Sequence, residues 1–420
     1  MNRNSLPRWV NAIADRIADS PTSFLGRLAA KRLGAPAPRG SVAASAFADR
    51  PTRVLIAPMN YSGQGRAWAA ALEQADPAIS ARNMAVDVPG GFSFDADLVV
   101  PVGTYHNDPD WQRRQLEAAA GATHLLVEAE EPPFGRLFSR SVAAQVAALR
   151  DRGVSVAYLG HGVDVRLPSR HMEANPWSYF RDPSIYLPRA ESLASRNIDL
   201  LRSSGLPLFV STPDLLVDLP EAIWCPVAVD PERWSVPRTD RSPGHPLRVV
   251  HAPSIAAVKG TSLIVPVLER LHDEGVIEFD LIQGVPSAKM PARLARADVV
   301  LDQFRLGAYG VVACEAMAAG CVVLGHVSEQ ARAAVREASG LELPIVEATP
   351  DTLETELRLL AEAQDLAARS ETGRRFVCEL HDGRRAAAAL LEHWIAPQEK
   401  PSRAMTDRHE REEIEGASGS

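Results

Sequence analysis

Short apolar runs that alternate with longer helical patterns are the feature that most constrains the fold of this chain. From residue 53 onward, runs such as "RVLIAP", "THLLVEA" and "VSVAYLG" are rich in β-branched residues. The stretches between them place apolar residues every three to four positions, as helices do. Strands that alternate with helices favour parallel sheets with crossover helices. We therefore predict an α/β protein.

The alternation occurs in two halves, which predicts two sheets. Strands are expected at 53–58, 83–88, 96–103, 123–129, 154–160 and 207–212, and again at 247–254, 278–284, 297–303, 321–326 and 343–348. The segment 234–246, "WSVPRTDRSPGHP", breaks both patterns and is expected to be a linker. We predict two Rossmann-like domains that face a cleft, at 41–233 and 247–397, and leave open whether the last helix crosses back to the first domain.

Composition and charge exclude several classes of protein. The chain has 420 residues, of which 46% are hydrophobic, enough for sizeable cores. Its net charge of −8 does not suit nucleic-acid binding. No run approaches the roughly 18 apolar residues of a membrane span, and the first residues lack a signal-peptide pattern. The four cysteines have no CxxC spacing, so we expect a cytoplasmic protein without a disulfide framework or zinc site.

The two ends of the chain differ from the rest. Residues 1–40 carry seven basic and two acidic residues, a net charge of +5. Leu6, Val10, Ile13 and Ile17 follow helical spacing, which predicts an amphipathic extension. It could pack on the first domain or lie peripherally at the inner face of a membrane, and we keep both interpretations. Residues 398–420 contain almost no apolar side chains and are expected to be disordered.

Two motifs in the first half carry weaker signals. Gly63 and Gly65 precede a helix where a first βα turn could bind phosphate, and Asp87 ends the next strand. Trp68 stands where a dinucleotide site needs its third glycine, so we predict a loop that overlooks the cleft. Asp95 and Asp97 form a D-x-D sequence at a strand entrance, where aspartates are common in turns, and we assign no metal to them.

Polar residues at the carboxyl ends of strands give the stronger candidates, because ligands bind there in open parallel sheets. His161 follows a buried strand between two glycines and could exchange protons near neutral pH. Lys259 and Gly260 stand at the start of a helix, where a cation and free amides favour anions. Further candidates from loops of the two halves are Ser254, Gly284, Asp302, Gln303, Gly63 and Gly65.

The segment "GAYGVVACEAMAAGCVVLGH", residues 307–326, places one carboxylate, Glu315, on an otherwise apolar helix. A carboxylate in such surroundings needs a partner or a ligand to offset its desolvation. Together with "GHGVDVR", "VSTPDLL", "IWCPVAVDPERW", "HAPSIAAVKGT" and "GRRFVCELHDG", this segment resembles GT-B glycosyltransferases, specifically glycosyltransferase family 4 (group 1). The resemblance covers roughly residues 51–395.

The resemblance implies a hexosyltransferase-type enzyme that uses a nucleotide diphosphate sugar, retains the anomeric configuration, and needs neither metal nor cofactor. It implies that Glu315 binds the ribose and that Lys259 neutralises the diphosphate. Donor-binding amides are implied at Ala308, Tyr309, Gly310 and Val311. His161 is our candidate catalytic residue, in contact with the transferring sugar or the acceptor, which could be lipid-linked or a polysaccharide.

The sequence departs from the family at two positions. The first of two glutamates spaced eight apart, which contacts the donor sugar, is replaced by Gly307. The arginine that precedes the lysine in the first loop of the second half has no clear counterpart. Asp302, Gln303, backbone amides or a residue of the first domain could compensate. A sugar-nucleotide epimerase and a catalytically silent nucleotide-sugar binding protein therefore remain alternatives.

Overall fold

The computed structural model describes residues 3–21, 23–88, 94–239 and 244–396, and these form two parallel sheets with helices on their faces. The strands of the first sheet are β1 (Thr52–Ala57), β2 (Ile79–Asp87), β3 (Leu98–Pro101), β4 (His124–Glu128), β5 (Ser155–Gly160), β6 (Leu208–Val210) and β7 (Ile223–Trp224). The strands of the second are β8 (Leu247–His251), β9 (Ile277–Leu281), β10 (Val299–Leu301), β11 (Val322–Gly325) and β12 (Ile345–Glu347). The predicted α/β class is confirmed.

The helices follow the strands in the alternation that the sequence predicts. Those of the first half are α1 (Arg8–Asp19), α2 (Phe24–Lys31), α3 (Gln64–Ala75), α4 (Val102–Asn107), α5 (Pro109–Ala119), α6 (Val142–Arg150), α7 (Pro168–Ala174), α8 (Leu187–Ser204) and α9 (Pro231–Trp234). Those of the second half are α10 (Ala256–Lys259), α11 (Thr261–Asp273), α12 (Met290–Leu294), α13 (Val311–Ala318), α14 (Glu329–Ser339), α15 (Leu353–Glu362), α16 (Leu366–Leu380) and α17 (Arg384–Leu390), which continues as a π-helical turn at Leu391–Ile395.

The strand order explains where a ligand can bind. The first sheet runs β3-β2-β1-β4-β5-β6-β7 and the second runs β12-β11-β10-β8-β9, with every pairing between these strands parallel. The order reverses beside β1 in the first sheet and beside β8 in the second. In open parallel sheets such reversals open a crevice at the carboxyl ends of the strands.

Several predicted strands are shorter than expected, and the run 96–103 shows one physical reason. The run 96–103 forms a strand only at Leu98–Pro101, and α4 begins at Val102. Pro101 has a fixed φ, lacks a backbone N–H, and is therefore well placed at a strand-to-helix junction. The short strand leaves the first sheet narrow at this edge.

The segment that joins the two halves belongs structurally to the second. Trp234 is buried in the core of the second sheet. The Arg238 guanidinium donates hydrogen bonds to the carbonyl oxygens of Ala297 and Ala319. Part of the predicted linker, residues 240–243, lies outside the described residues.

The end of the chain returns to the first half. Leu390 and Trp394 pack in the same apolar cluster as Trp68 of α3. The Trp394 indole N–H donates to the hydroxyl oxygen of Ser155, at the start of β5. The last helix therefore covers the first sheet and joins the two domains. The predicted tail at 398–420 lies outside the described residues.

The N-terminal segment forms two helices that contact the first domain through polar groups. The Asn4 amide donates to the carbonyl oxygens of Pro183 and Ile185, and the Asn107 amide donates to that of Ala30. Within the described residues, no helix is both long and apolar enough to cross a bilayer.

Candidate active site

Glu315 lies on α13, an apolar helix that packs into the core of the second sheet. Its side chain is half-buried, and within the described residues no hydrogen-bond donor reaches the carboxylate. Burial raises the pKa of Glu315 to about 8, although the positive charges of Arg233 and Lys259 oppose the shift. A desolvated carboxylate with nearby cations and no donor is a vacant hydrogen-bond acceptor.

Lys259 lies at the end of α10, directly before the start of α11. The side chain is buried, and its Nζ lies 2.5 Å from Oδ1 of Asp302 at the end of β10. Gly260 follows with φ +80°, and a Cβ there would lie 2.9 Å from Cγ of Arg305. Only glycine suits both the left-handed backbone and the close approach. The lysine is therefore held at the carboxyl edge of the sheet, within electrostatic reach of Glu315.

Asp302 and Gln303 each keep one buried oxygen without a partner. Asp302 is 3% exposed, and its Oδ2 has no hydrogen bond in the described structure. Gln303 uses its amide N–H to bind the carbonyl oxygen of Ala308, and its Oε1 is also without a partner among the described residues. Buried polar atoms without partners are costly, so two of them beside a buried lysine indicate a place for a ligand.

The start of α13 presents open backbone amides. Gly310 is the residue before the helix, in an extended conformation, and a Cβ there would meet no atom within 4 Å. Tyr309 is buried, and its hydroxyl lies 3.1 Å from Nε2 of His381. Ala308 is also buried, and Val311 begins the helix. The Tyr309 contact fixes the turn in place, and the space around Gly310 allows an anion to approach the first amides of the helix.

Gly307 has a backbone that disfavours the expected glutamate. Its φ is +67°, and a Cβ would lie 3.5 Å from Cβ of Ser328 and 3.6 Å from Nδ2 of Asn175. The Asn175 amide itself donates to the carbonyl oxygen of Arg305. The loop thus takes a glycine conformation and contacts the first domain where the family has a side chain for the donor sugar.

His161 follows β5 and is held by a carboxylate that no sequence pattern assigned to it. Its Nε2 lies 3.2 Å from Oε1 of Glu128 at the end of β4. The imidazole stacks on Trp68 at 5.7 Å and meets the ring of Tyr61 edge-on at 5.1 Å. Glu128 also accepts hydrogen bonds from the amides of Met59 and Asn60. One buried carboxylate therefore fixes both the histidine and the turn after β1.

Further acidic groups surround Tyr61. Burial and the charges of Asp164, Glu131, Glu128 and Glu130 raise the pKa of its hydroxyl. Glu130 is buried with both carboxylate oxygens unpartnered among the described residues, and burial followed by the charge of Asp164 raises its pKa well above the usual range. The carboxyl ends of β4 and β5 therefore form an acidic surface on the first domain.

The weaker candidates of the first half have structural partners. Gly63 precedes α3 with φ +76°, and Gly65 packs against the Glu128 carboxylate. Asp97 binds the amide of Asn83 and lies 3.5 Å from Arg66. Nothing in these contacts forms a dinucleotide or metal site. In the described parts of the chain, no group of three or more His, Cys, Asp or Glu side chains is arranged to hold a metal ion.

Two predicted site residues, Ser254 and Gly284, and also Asp87 have no described contact with the cluster around Lys259. Ser254 is exposed in the loop between β8 and α10. Gly284 follows the edge strand β9 with φ +65°, and a Cβ there would meet no described atom within 4 Å. Asp87 ends β2. Among the residues that the structure describes, no contact connects any of the three with Glu315 or His161.

Arg305 joins the two domains, which no sequence pattern indicates. Its buried guanidinium donates to the carbonyl oxygens of Trp177 and Ser178 in the first domain and of Ala257 in the second. It also lies 3.0 Å from Oδ2 of Asp182. The His171 ring reaches across as well, 3.0 Å from the carbonyl oxygen of Leu306.

Three residues near the candidate site were not predicted from the sequence: Glu128, Arg233 and Arg305. A signal for Glu128 was present, because "VEAEE" ends an apolar strand with three acids, at the same sheet edge as His161. Arg233 follows the motif "VAVDP", but its proximity to Glu315 depends on how α9 packs beside α13. Most contacts of Arg305 depend on the arrangement of the two domains.

Comparisons with known proteins find similarity in structure only. No protein-family description matches the chain, and no curated protein sequence matches it. Solved structures do match. Sucrose-phosphate synthase from Thermosynechococcus elongatus aligns with 11% identity over 80% of this chain and 96% of its own, at a TM-score of 0.51. A glycosyltransferase from Rickettsia africae aligns with 10% identity over 82% and 98%, at 0.49. HepE from Anabaena, solved with UDP, aligns with 11% identity over 81% and 98%, at 0.48.

The predicted fold is confirmed by these findings, whereas assignment to family 4 stays a prediction. The chain has two parallel sheets, and the sucrose-phosphate synthase shares that architecture over most of both chains. At 11% identity, this similarity shows a shared fold only. The chain has the two-domain GT-B fold.

Proposed function

We propose that this protein is a glycosyltransferase that moves a sugar from a nucleotide diphosphate sugar to an acceptor held by the first domain. The observation that carries the proposal is Glu315, a half-buried carboxylate with no donor in the described structure, near the charges of Arg233 and Lys259. Ribose hydroxyls supply the two donors that such a group lacks. A diphosphate supplies the negative charge that the neighbouring cations balance.

The start of α13 supports the position of the diphosphate. The open space around Gly310 lets phosphate oxygens approach the first amides of the helix, and the charge of Lys259 acts on Glu315 of the same helix. Charge develops on the leaving diphosphate as the glycosidic bond breaks, and prepositioned donors stabilise that charge. We propose that this cluster replaces a metal ion, so that transfer proceeds in EDTA.

Arg233 is the proposed replacement for the arginine that the first loop of the second half lacks. It comes from α9, on the segment that crosses between domains, and its charge acts on Glu315. We assign it to the diphosphate together with Lys259. The guanidinium is exposed, so it can rearrange when the donor binds.

Asp302 and Gln303 are the proposed replacements for the glutamate absent at Gly307. Their oxygens without partners in the described structure are buried at the end of β10, where hydroxyl groups of the donor sugar can satisfy them. The pair Lys259–Asp302 also positions the lysine before the donor arrives. The retaining outcome remains part of the proposal and is measured from the configuration of the product.

His161 is proposed to contact the transferring sugar or the acceptor from the opposite domain. Glu128 fixes the ring through Nε2, so Nδ1 is the atom left for substrate. The imidazole is supported by Trp68 and Tyr61 on its faces, which sets its orientation. Glu128 is therefore a positioning residue for His161.

The test measures nucleotide binding and turnover on the same protein. UDP, GDP and ADP are titrated by calorimetry, and the tightest binder defines the donor series for turnover assays with and without EDTA. Glu315→Ala should weaken that nucleotide by about 1.5–3 kcal/mol for each hydrogen bond lost, whereas Glu356→Ala on α15 should leave it unchanged. Equal affinities in both variants would contradict the proposal.

Turnover distinguishes the two alternatives. Binding without turnover of any sugar conjugate would favour the catalytically silent protein, which the loop at Gly307 makes a specific candidate. Release of an isomerised sugar without transfer would favour the epimerase. Loss of activity in EDTA with recovery on Mn²⁺ would overturn the metal-independent mechanism.

A further inference from the structure

The N-terminal helices present their large apolar side chains outward, against the usual direction for a surface helix. In α2 the buried residues are the small ones, Gly26 and Ala30. Phe24 is 82% exposed, and Leu25 and Leu28 are about half exposed. A helix that packs on its own protein normally buries its large apolar residues. Here the small residues contact the protein, and the large apolar residues remain exposed and available for an external partner.

Close contacts at Gly26 prevent α2 from rotating about its axis. A Cβ at Gly26 would overlap the carbonyl oxygen of Ser20 and lie 2.6 Å from that of Pro21. Arg136 touches the same glycine, with its guanidinium 3.5 Å from the carbonyl oxygen. The orientation of α2, with Phe24 and Leu28 outward, is thus fixed by packing.

Helix α1 repeats the arrangement. Trp9 is 67% exposed and Ile13, one turn later, is half exposed. The opposite face carries Asn11, which is buried and binds Arg3. The sequence pattern pointed to Leu6, Val10, Ile13 and Ile17 as one apolar surface, but of these only Ile13 is fully on the outer face. The other three are half-buried towards the protein.

Basic side chains are interleaved with this outward face. Arg8, Arg16, Lys31 and Arg32 are exposed, and none of them forms an ion pair with any residue that the structure describes. Some exposed arginines elsewhere pair with acids, for example Arg270 with Glu354 and Arg336 with Glu342, whereas others, such as Arg114 and Arg150, also have no ion pair among the described residues. Four cations without counter-ions among the described residues, on a protein of net charge −8, form a local positive surface.

A loop of the first domain extends the same surface. Residues 137–140 form a short turn in which Phe138 has φ +51° and stands half exposed. Large non-glycine residues rarely take that conformation. Burial and the charges of Arg140 and Arg27 lower the pKa of the adjacent Arg136, whose guanidinium lies 3.5 Å from the Gly26 carbonyl oxygen. The loop therefore adds one aromatic ring and the Arg136 guanidinium beside α2.

We propose that α1, α2 and the loop 136–140 form a peripheral docking surface for an anionic lipid bilayer. Exposed Trp, Phe and Leu side chains enter the headgroup boundary while the interleaved basic groups meet lipid phosphates. Each basic residue beside an anionic surface strengthens binding about fivefold, so attachment is reversible and sensitive to salt. Charge complementarity distinguishes a bilayer from a second copy of this chain, whose overall charge is negative but whose contact surface would repeat the same cations.

The surface lies next to the proposed acceptor side of the cleft. Arg140 pairs with Glu131, one of the acids that act on Tyr61, and Tyr61 contacts His161. A bilayer seated on α2 and Phe138 would therefore lie beside the first domain's carboxyl edge. The docking proposal itself does not depend on the proposed transferase activity.

The test is flotation of the full chain with vesicles of phosphatidylcholine alone and with about 30 mol per cent phosphatidylglycerol, a composition of roughly cellular anionic content, at low and high salt. Binding should appear with the anionic vesicles at low salt and fall at least tenfold at high salt. Phe24→Ser/Leu28→Ser should lose at least tenfold, whereas Leu359→Ser, an equally exposed leucine on α15, should bind as the unsubstituted protein does.

A second pair of variants isolates charge. Lys31→Glu/Arg32→Glu should abolish flotation, and Lys289→Glu/Arg296→Glu, with the same change in net charge on the second domain, should retain it. All these residues are exposed, so the thermal unfolding midpoint should be unchanged in every variant and serves as the folding control. The proposal would be overturned if the protein does not float or floats equally with neutral and anionic vesicles. It would also be overturned if a surface variant and its matched control bind equally. A dimer in sedimentation that Phe24→Ser/Leu28→Ser converts to a monomer would overturn it as well.

Discussion

At the scale of single residues, Glu315 shows a conflict between binding and stability. Burial raises the pKa of this carboxyl to about 8, whereas in an unfolded chain it titrates near the ordinary value of 4.5. Between these pH values the folded state binds the proton that the unfolded state has released. The free energy of unfolding therefore falls as the pH rises through this window. Because ionisation of this buried carboxyl lowers the free energy of unfolding, we expect Glu315 to bind a ligand.

Glu315→Gln should therefore stabilise the protein. The amide has no charge to desolvate, so the gain should grow from about pH 5 to about pH 8 and reach up to about 3 kcal/mol near neutral pH. The same change should weaken the nucleotide, because an amide presents one acceptor oxygen where a carboxylate presents two. Chemical denaturation at about pH 5.5 and about pH 8, with Glu356→Gln as the control, measures the first effect. A variant that is less stable at the higher pH would identify Glu315 as a structural carboxylate.

At the scale of elements, Gly260 and Gly310 both precede helices but are expected to have different roles. Gly260 has φ +80° and a neighbouring side chain within 2.9 Å of a Cβ, whereas Gly310 is extended and surrounded by open space. Gly260→Ala should cost about 1–2 kcal/mol from the backbone conformation alone. Gly310→Ala should leave the free energy of unfolding within about 0.5 kcal/mol. The first position serves the fold.

The second position is predicted to serve the ligand. A methyl group at Gly310 occupies the space through which a phosphate would reach the amides of α13, so nucleotide affinity should fall about tenfold while folding is preserved. Calorimetry and denaturant unfolding of the two alanine variants give the comparison. Unchanged nucleotide affinity in Gly310→Ala would move the diphosphate away from this helix.

The elements themselves were largely predictable, because their signals are local. The period of apolar residues identifies the strands of both sheets except the two-residue β7, and a lone carboxylate on α13 singles out Glu315 as a candidate without any tertiary information. The partners of the site residues were not predictable. Glu128 meets His161 from 33 positions away, and the buried oxygens of Asp302 and Gln303 result from packing around β10. Such features arise only when distant segments enclose the same space.

At the scale of the whole molecule, the two domains are connected through the crossing at α9, the return of α17, and the polar contacts around Arg305. The first two are covalent continuations of the chain. The third is the contact most easily opened, because it consists largely of hydrogen bonds between loops of the two domains. A cleft enzyme needs such a contact to enclose its substrates.

Arg305→Ala should separate the two domains without unfolding either. The guanidinium makes hydrogen bonds to carbonyl oxygens and to Asp182, and each bond to a charged group is worth about 1.5–3 kcal/mol. Arg181→Ala is the matched control, because that arginine lies next to Asp182 in the loop that Arg305 contacts but donates within the first domain, to the carbonyl oxygen of Met172. We expect a larger radius of gyration by small-angle scattering for Arg305→Ala, and two unfolding steps in calorimetry where the unsubstituted protein shows one. If the two variants scatter and unfold alike, the domains are held by α9 and α17, and Arg305 only fills its site.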